Sequence, residues 1–155
     1  HLPRGLASAP FDGEGVATVE RDLVAQGELR GYLLDSYAAR RLGMVTTGNA
    51  GGVHNLIVEA GAFGQADLLR QLGTGLWVME LLGHGINLVT GDYSRGASGF
   101  WVENGEPQYP VQQITIAGNL DRMFQTIVAV GNDVDSRGAI QCGSLLLERM
   151  TVAGE

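Results

Sequence analysis

Glycine supplies 24 of the 155 residues of this chain, with no G-X-Y period and no low-complexity block. It falls between short apolar runs, where a residue without Cβ takes the φ > 0 conformations of tight turns and bulges. Such punctuation predicts many short strands and leaves little room for long helices. Hydrophobic residues make up 45% and charged residues 17%, which excludes a disordered tail. A chain of this length buries roughly 70% of its unfolded surface, enough for a core.

The turn cluster at 12–15 precedes a run over 16–24, and Gly27 separates it from 29–34, predicting a hairpin. Asp35 and Ser36 cap a short helix over 37–42, whose Arg40 and Arg41 suit the negative end of the dipole before Gly43 stops it. A glycine-rich loop at 46–52 leads into a strand over 53–59. A second helix is predicted over 65–72, with Leu68, Leu69 and Leu72 on one face and Gly73 after it. From 76 to 82 both alternation phases are mainly apolar, which predicts a central strand covered on both faces.

Strands over 99–103 and 108–116 flank Asn104-Gly105, a favoured hairpin dipeptide. The intervening Glu106 and Pro107 predict a loop longer than two residues. Asn119 caps a third helix, in which Leu120, Met123, Phe124, Ile127 and Val128 follow the helical period and predict packing across a sheet face. The stretch 144–153 reads as a final strand. The sum is an α+β fold of mostly antiparallel strands, in a sheet or pseudo-barrel, with about three short helices.

Several chemistries are excluded. The net charge of −7 gives no general attraction to nucleic acid or to an anionic membrane. All ten basic residues are Arg, which removes Schiff-base lysines and the P-loop lysine. His1, His54 and His84 form no H-E-x-x-H pattern, so no helix-borne zinc pair arises. Ser94, Ser98 and Ser144 lack the G-x-S-x-G elbow, and 48–52 and 83–85 lack G-x-G-x-x-G spacing. Cys142 cannot close an internal disulfide, and with no secretory h-region or long apolar run the expected home is a reducing cytoplasm. A solitary Cys is usually a small buried hydrophobe. No catalytic residue and no metal ligand is therefore assigned.

The densest polar and aromatic constellation is Glu80, His84, Asn87, Asp92, Tyr93, Ser94, Arg95 and Trp101. It reads either as a loop fixed by an Asp92–Arg95 ion pair or as a binding surface. Glu80, His84, Asn87, Asp92, Tyr93, Arg95 and Trp101 are the binding candidates.

The motifs GNAGGVHNL (48–56), GLWVMELLGHGINLVTGDYSRGASGFWVENGE (75–106), YPV (109–111), ITIAGNL (114–120), QCGS (141–144) and VAG (152–154) resemble the carboxyl-terminal domain of the PmbA, or TldE, branch of the TldD/PmbA family. The resemblance covers nearly the whole chain. It implies that residues 1–155 are a single carboxyl-terminal domain of a longer protein with a separate amino-terminal domain, which fits a start without Met. It further implies a cytoplasmic, hetero-oligomeric zinc peptidase that matures leader peptides and degrades unfolded peptides. In that family the TldD-type subunit carries the zinc on an H-E-x-x-x-H helix, and the PmbA type is its non-catalytic partner, inactive alone. The expected partners are a TldD-type subunit, an extended peptide lying along an exposed strand edge, and a second copy of the chain. The alternative is a non-proteolytic regulatory protein of the kind the family's older label, modulator of DNA gyrase, describes.

Overall fold

The computed structural model describes Leu2 and residues 4–154. In chain order the elements are β1 (Val24–Ala25), β2 (Glu28–Leu29), α1 (Ser36–Arg41), β3 (Leu56–Ile57), α2 (Gln65–Leu72), β4 (Gly75–Leu82), β5 (Asp92–Glu103), β6 (Glu106–Asn119), α3 (Leu120–Gln125), β7 (Ile127–Val130), β8 (Ile140–Gln141), β9 (Leu145–Leu147) and β10 (Thr151–Ala153). They fall into two compact units, one holding the chain up to Val58 with Asp135–Gln141, the other Glu59–Val134 with the chain from Cys142 onward. Among the described residues the fold is α+β, with three helices and strands that are antiparallel except for one parallel pair. Among the described residues the strands close no barrel.

In the first unit the expected hairpin forms around Gln26 and Gly27, both at positive φ (54° and 78°), as a two-residue turn of the primed type requires. Its ladder is only Val24 opposite Leu29 and Ala25 opposite Glu28. Charged Glu20, Arg21 and Asp22 interrupt the preceding run, in which, among the described residues, only an isolated bridge of Ala17 to Phe11 precedes β1. α1 begins where the Asp35 carboxylate accepts the Ala38 N–H at 2.6 Å, and Arg40 and Arg41 occupy its last turn. The 46–52 loop is pinned by Asp12, a buried carboxylate. One of its oxygens accepts the Glu14 and Val16 amides and the other accepts the Ala50 amide, all at 2.9 Å. The strand expected over 53–59 shrinks to β3, which pairs in parallel with β8.

The second unit is built on an antiparallel sheet in the order β10-β6-β5-β4. Asn104 and Gly105 lie at φ 54° and 78° and close β5 onto β6 directly, so the longer loop expected there is not formed. Glu106 pairs with Glu103 and Pro107 with Val102, and the register shifts between Trp101 and Val102. That irregularity lets a proline, which has no N–H to give, enter the strand. A second register shift between Ala97 and Gly99 goes with Gln113 at φ 57°.

α2 matches its expected range, buries Leu68 and ends at Gly73 with φ 66°. α3 does not: it stops at Gln125, and Thr126 turns the chain while its hydroxyl donates to the Arg122 carbonyl at 2.9 Å. The β-branched Thr126, Ile127 and Val128 favour strand, and Ile127 pairs with Leu147 of β9. The single final strand expected over 144–153 is two strands, β9 against β7 and β10 against β6. The core gathers Tyr93, Ala97, Ile114 and Ile116, against which Leu76, Val78, Leu120, Met123 and Met150 pack. β4 is the edge of the sheet and not its centre. Among the described residues no helix is long and apolar enough to cross a membrane.

Candidate functional site

Beyond β4 the chain turns back on itself into β5, and glycine makes the return possible. The Ser94 amide donates to the Gly85 carbonyl at 2.7 Å, and any Cβ on Gly85 would overlap the Ser94 carbonyl oxygen. Ile86 bridges Tyr93, and the Asn87 amide donates to the Asp92 carbonyl at 2.8 Å. The tip of this narrow hairpin is organised by side chains. Asn87 Oδ1 accepts the amides of Val89 (2.9 Å) and Thr90 (3.2 Å), an Asx arrangement that stands in for a backbone turn.

Three further ties fix the tip, one within it and two from outside. Thr90 Oγ1 donates to Asp92 Oδ2 at 2.7 Å. Asn119, at the end of β6, uses both ends of its amide: Nδ2 donates to the Thr90 carbonyl at 2.9 Å, and Oδ1 accepts the Asp121 amide that opens α3. The Leu120 amide donates to the Gly91 carbonyl at 2.7 Å. What this network displays is apolar: Leu88 is 85% and Val89 95% exposed.

The seven binding candidates are not gathered into one site. Asn87 and Asp92 meet at the hairpin tip, with Thr90 between them. The expected Asp92–Arg95 ion pair is not formed, because residues three apart on a strand point to opposite faces. Asp92 takes the Thr90 hydroxyl, while Arg95 Nη2 donates to the Leu81 carbonyl at 3.2 Å and Arg95 Nε is buried without a partner. Tyr93 is a core residue. Glu80, opposite Ser98 on β4, and His84 are exposed. Trp101 lies six residues beyond Arg95, about 20 Å along a strand, and its Nε1 donates to Glu103 Oε1 at 3.1 Å.

Trp101 belongs instead to a cleft that the sequence reading passed over. It measures about 460 Å³ and is lined by Leu68, Leu72, Leu76, Val78, Leu146 and Met150 as well as Trp101. The apolar face of α2 and the leucine run 145–147 were its only signals in the sequence, and both are equally the signature of an ordinary core.

Cys142 is half-buried, and burial, then the charge of Asp133, raises its thiol above the ordinary range. The thiol is therefore protonated at neutral pH and is a poor nucleophile. Asp133 itself is held ionised by the Ser144 hydroxyl at 2.5 Å and by the Ser144 amide at 2.9 Å. Among the described residues no His joins this group.

A family model described as the PmbA/TldA metallopeptidase C-terminal domain matches residues 1–154. The metalloprotease PmbA of Escherichia coli O157:H7 is 56% identical over 155 residues, covering 100% of this chain and 34% of that protein. A solved protein of Thermotoga maritima, described as a suggested modulator of a DNA gyrase, superposes with a TM-score of 0.87 at 38% identity, covering 99% of this chain and 37% of its own. One from Bacteroides thetaiotaomicron with a similar description gives 0.90 at 32% identity, covering 100% and 35%. The chain thus spans about a third of the length of the relatives it matches. The metal that a metallopeptidase name implies does not fit these residues: among those described, no three His, Cys, Asp or Glu side chains converge.

Proposed function

The chain belongs to the PmbA/TldA metallopeptidase C-terminal domain family, and from that membership we propose that it is the partner half of a two-subunit zinc peptidase. In this reading the metal and the bond-breaking chemistry reside on a TldD-type subunit in the cytoplasm. This domain helps to enclose and align the extended peptide that the other subunit cuts, whether a leader peptide or an unfolded chain.

The observation that carries the reading is the 85–94 hairpin. Leu88 and Val89 stand in solvent yet are held by bonds from Asn87, Thr90, Asp92 and Asn119. Apolar side chains displayed on an ordered turn are suited to anchor another protein. Because the turn is formed in advance, docking freezes little further freedom. Exposed Asp92, bonded to Thr90 at the tip, supplies a polar group to the same segment.

The test uses the full-length protein and a TldD-type partner, purified separately and then combined. Peptide cleavage is expected only from the mixture. A Leu88→Asp, Val89→Asp double variant should keep its circular dichroism spectrum and weaken association at least ~10-fold. Zinc-dependent cleavage by the full-length protein alone, lost on mutation of its own residues, would sink the proposal. The description of the solved relatives favours a second reading, a regulatory binding protein. A client such as gyrase, retained in a pull-down without the TldD-type subunit and left intact, would select it.

A further inference from the structure

The outer edge of β4 carries an inference that does not depend on which subunit holds the metal. Among the described residues β4 is hydrogen-bonded to β5 on one side and to no strand on the other. Its sequence, apolar in both phases, is that of a strand covered on both faces. Yet Met79 is 58%, Leu81 39% and Leu82 50% exposed. An eight-residue edge strand is a template for uncontrolled pairing, which proteins shorten, charge or cover, and here Glu80 is its one charged residue. The one irregularity, a register shift between Val78 and Glu80, interrupts this edge without covering it. Beside the first half of the strand lies the cleft of about 460 Å³, walled by Leu68, Leu72, Leu76, Val78, Leu146 and Met150. Edge and cleft therefore share one strand and lack the same thing, an apolar covering layer.

The matched relatives are longer than this chain, and their further length is a source for such a layer. The family is described as a C-terminal domain, and this chain accounts for 34% of the Escherichia coli relative. The larger part of such a protein precedes the matched region. We propose that a segment of that preceding part pairs as a strand with the free edge of β4 and sets apolar side chains into the cleft, so that β4 is an interior strand in the intact protein. The choice of this occupant over a visiting one follows from the need. An edge this apolar, with Glu80 as its one charge, is best covered whenever the protein is folded, and a peptide, a second copy or another subunit leaves it bare between visits. A tethered segment is always present, at an effective concentration on the order of millimolar or above.

Hydrogen exchange on the full-length protein tests this, measured alone at low and high concentration and again with a TldD-type subunit and with an unfolded peptide. Amides of 75–82 are expected to exchange on the order of 100-fold more slowly than exposed loop amides, equally at both concentrations and without either addition. A Leu82→Cys substitution in a Cys142→Ser background is expected to resist thiol labelling under the same conditions. Fast exchange and labelling in the lone protein overturn the proposal. Protection that rises with concentration assigns the edge to a second copy, and protection that needs the subunit or the peptide assigns it to them. Either result overturns it as well.

Discussion

Asp12 shows how much one side chain can organise. It reaches from the turn it sits in to the Ala50 amide, 38 positions along the chain, and its neighbours Glu14 and Val16 complete the bonding of the carboxylate. The Ala50 bond is the main cause of a pKa below the ordinary 3.8, with burial opposing it. A carboxyl depressed in the folded state stabilises fully above its unfolded pKa, and that contribution drains away as pH falls through the folded value. The expected outcome is that Asp12→Asn lowers the thermal midpoint at pH 7 and that the gap between variant and wild type narrows as pH falls through the folded-state value, which lies below the ordinary 3.8. Calorimetry across pH 2–7 checks both. The turn around Asp12 was legible in the sequence from its glycines. The long reach to Ala50 was not, because a loop contact leaves no periodicity. Asp92 and Arg95 failed for a related reason: adjacency in sequence suggested a pair that strand geometry forbids.

Among the elements, those with local chemistry at both ends were legible. α1 and α2 each begin and end where caps and glycines demand, and Asn104-Gly105 closes its hairpin as the dipeptide prefers. α3 was misread because Leu120 to Val128 satisfies a helical period although a helix and a strand share it, and only the pairing of β7 with β9 decides the boundary. The centrality expected of β4 came from a real property, its two apolar phases, whose explanation lies outside the sheet as it stands. Close backbone approach adds a further constraint. A Cβ on Gly99 would overlap the Trp77 carbonyl oxygen across the β4–β5 ladder. Gly99→Ala is expected to cost roughly 1–3 kcal/mol by forcing backbone shifts, read as a lower denaturant midpoint. Solvation of the β4 edge would follow, visible as faster exchange at 75–82.

For the whole molecule, charge is the most transferable sequence-level statement. With a net charge of −7, no band shift of duplex DNA is expected even near 50 mM salt, where phosphate contacts are strongest. A shift that weakens steeply with salt would contradict this and would revive a direct role at DNA. The candidate site was legible only as a region. Its hairpin, its cap at Asn119 and the separate cleft depend on which strands pair, and pairing is a property of the complete chain. The same holds for the smallest pairing of all. β3 finds its parallel partner only in β8, about 80 residues later, which a ribosome adds in roughly 4–16 s. During synthesis the first unit must therefore wait, incomplete, while most of the second is made, so a pause or a premature stop before residue 140 would strand both.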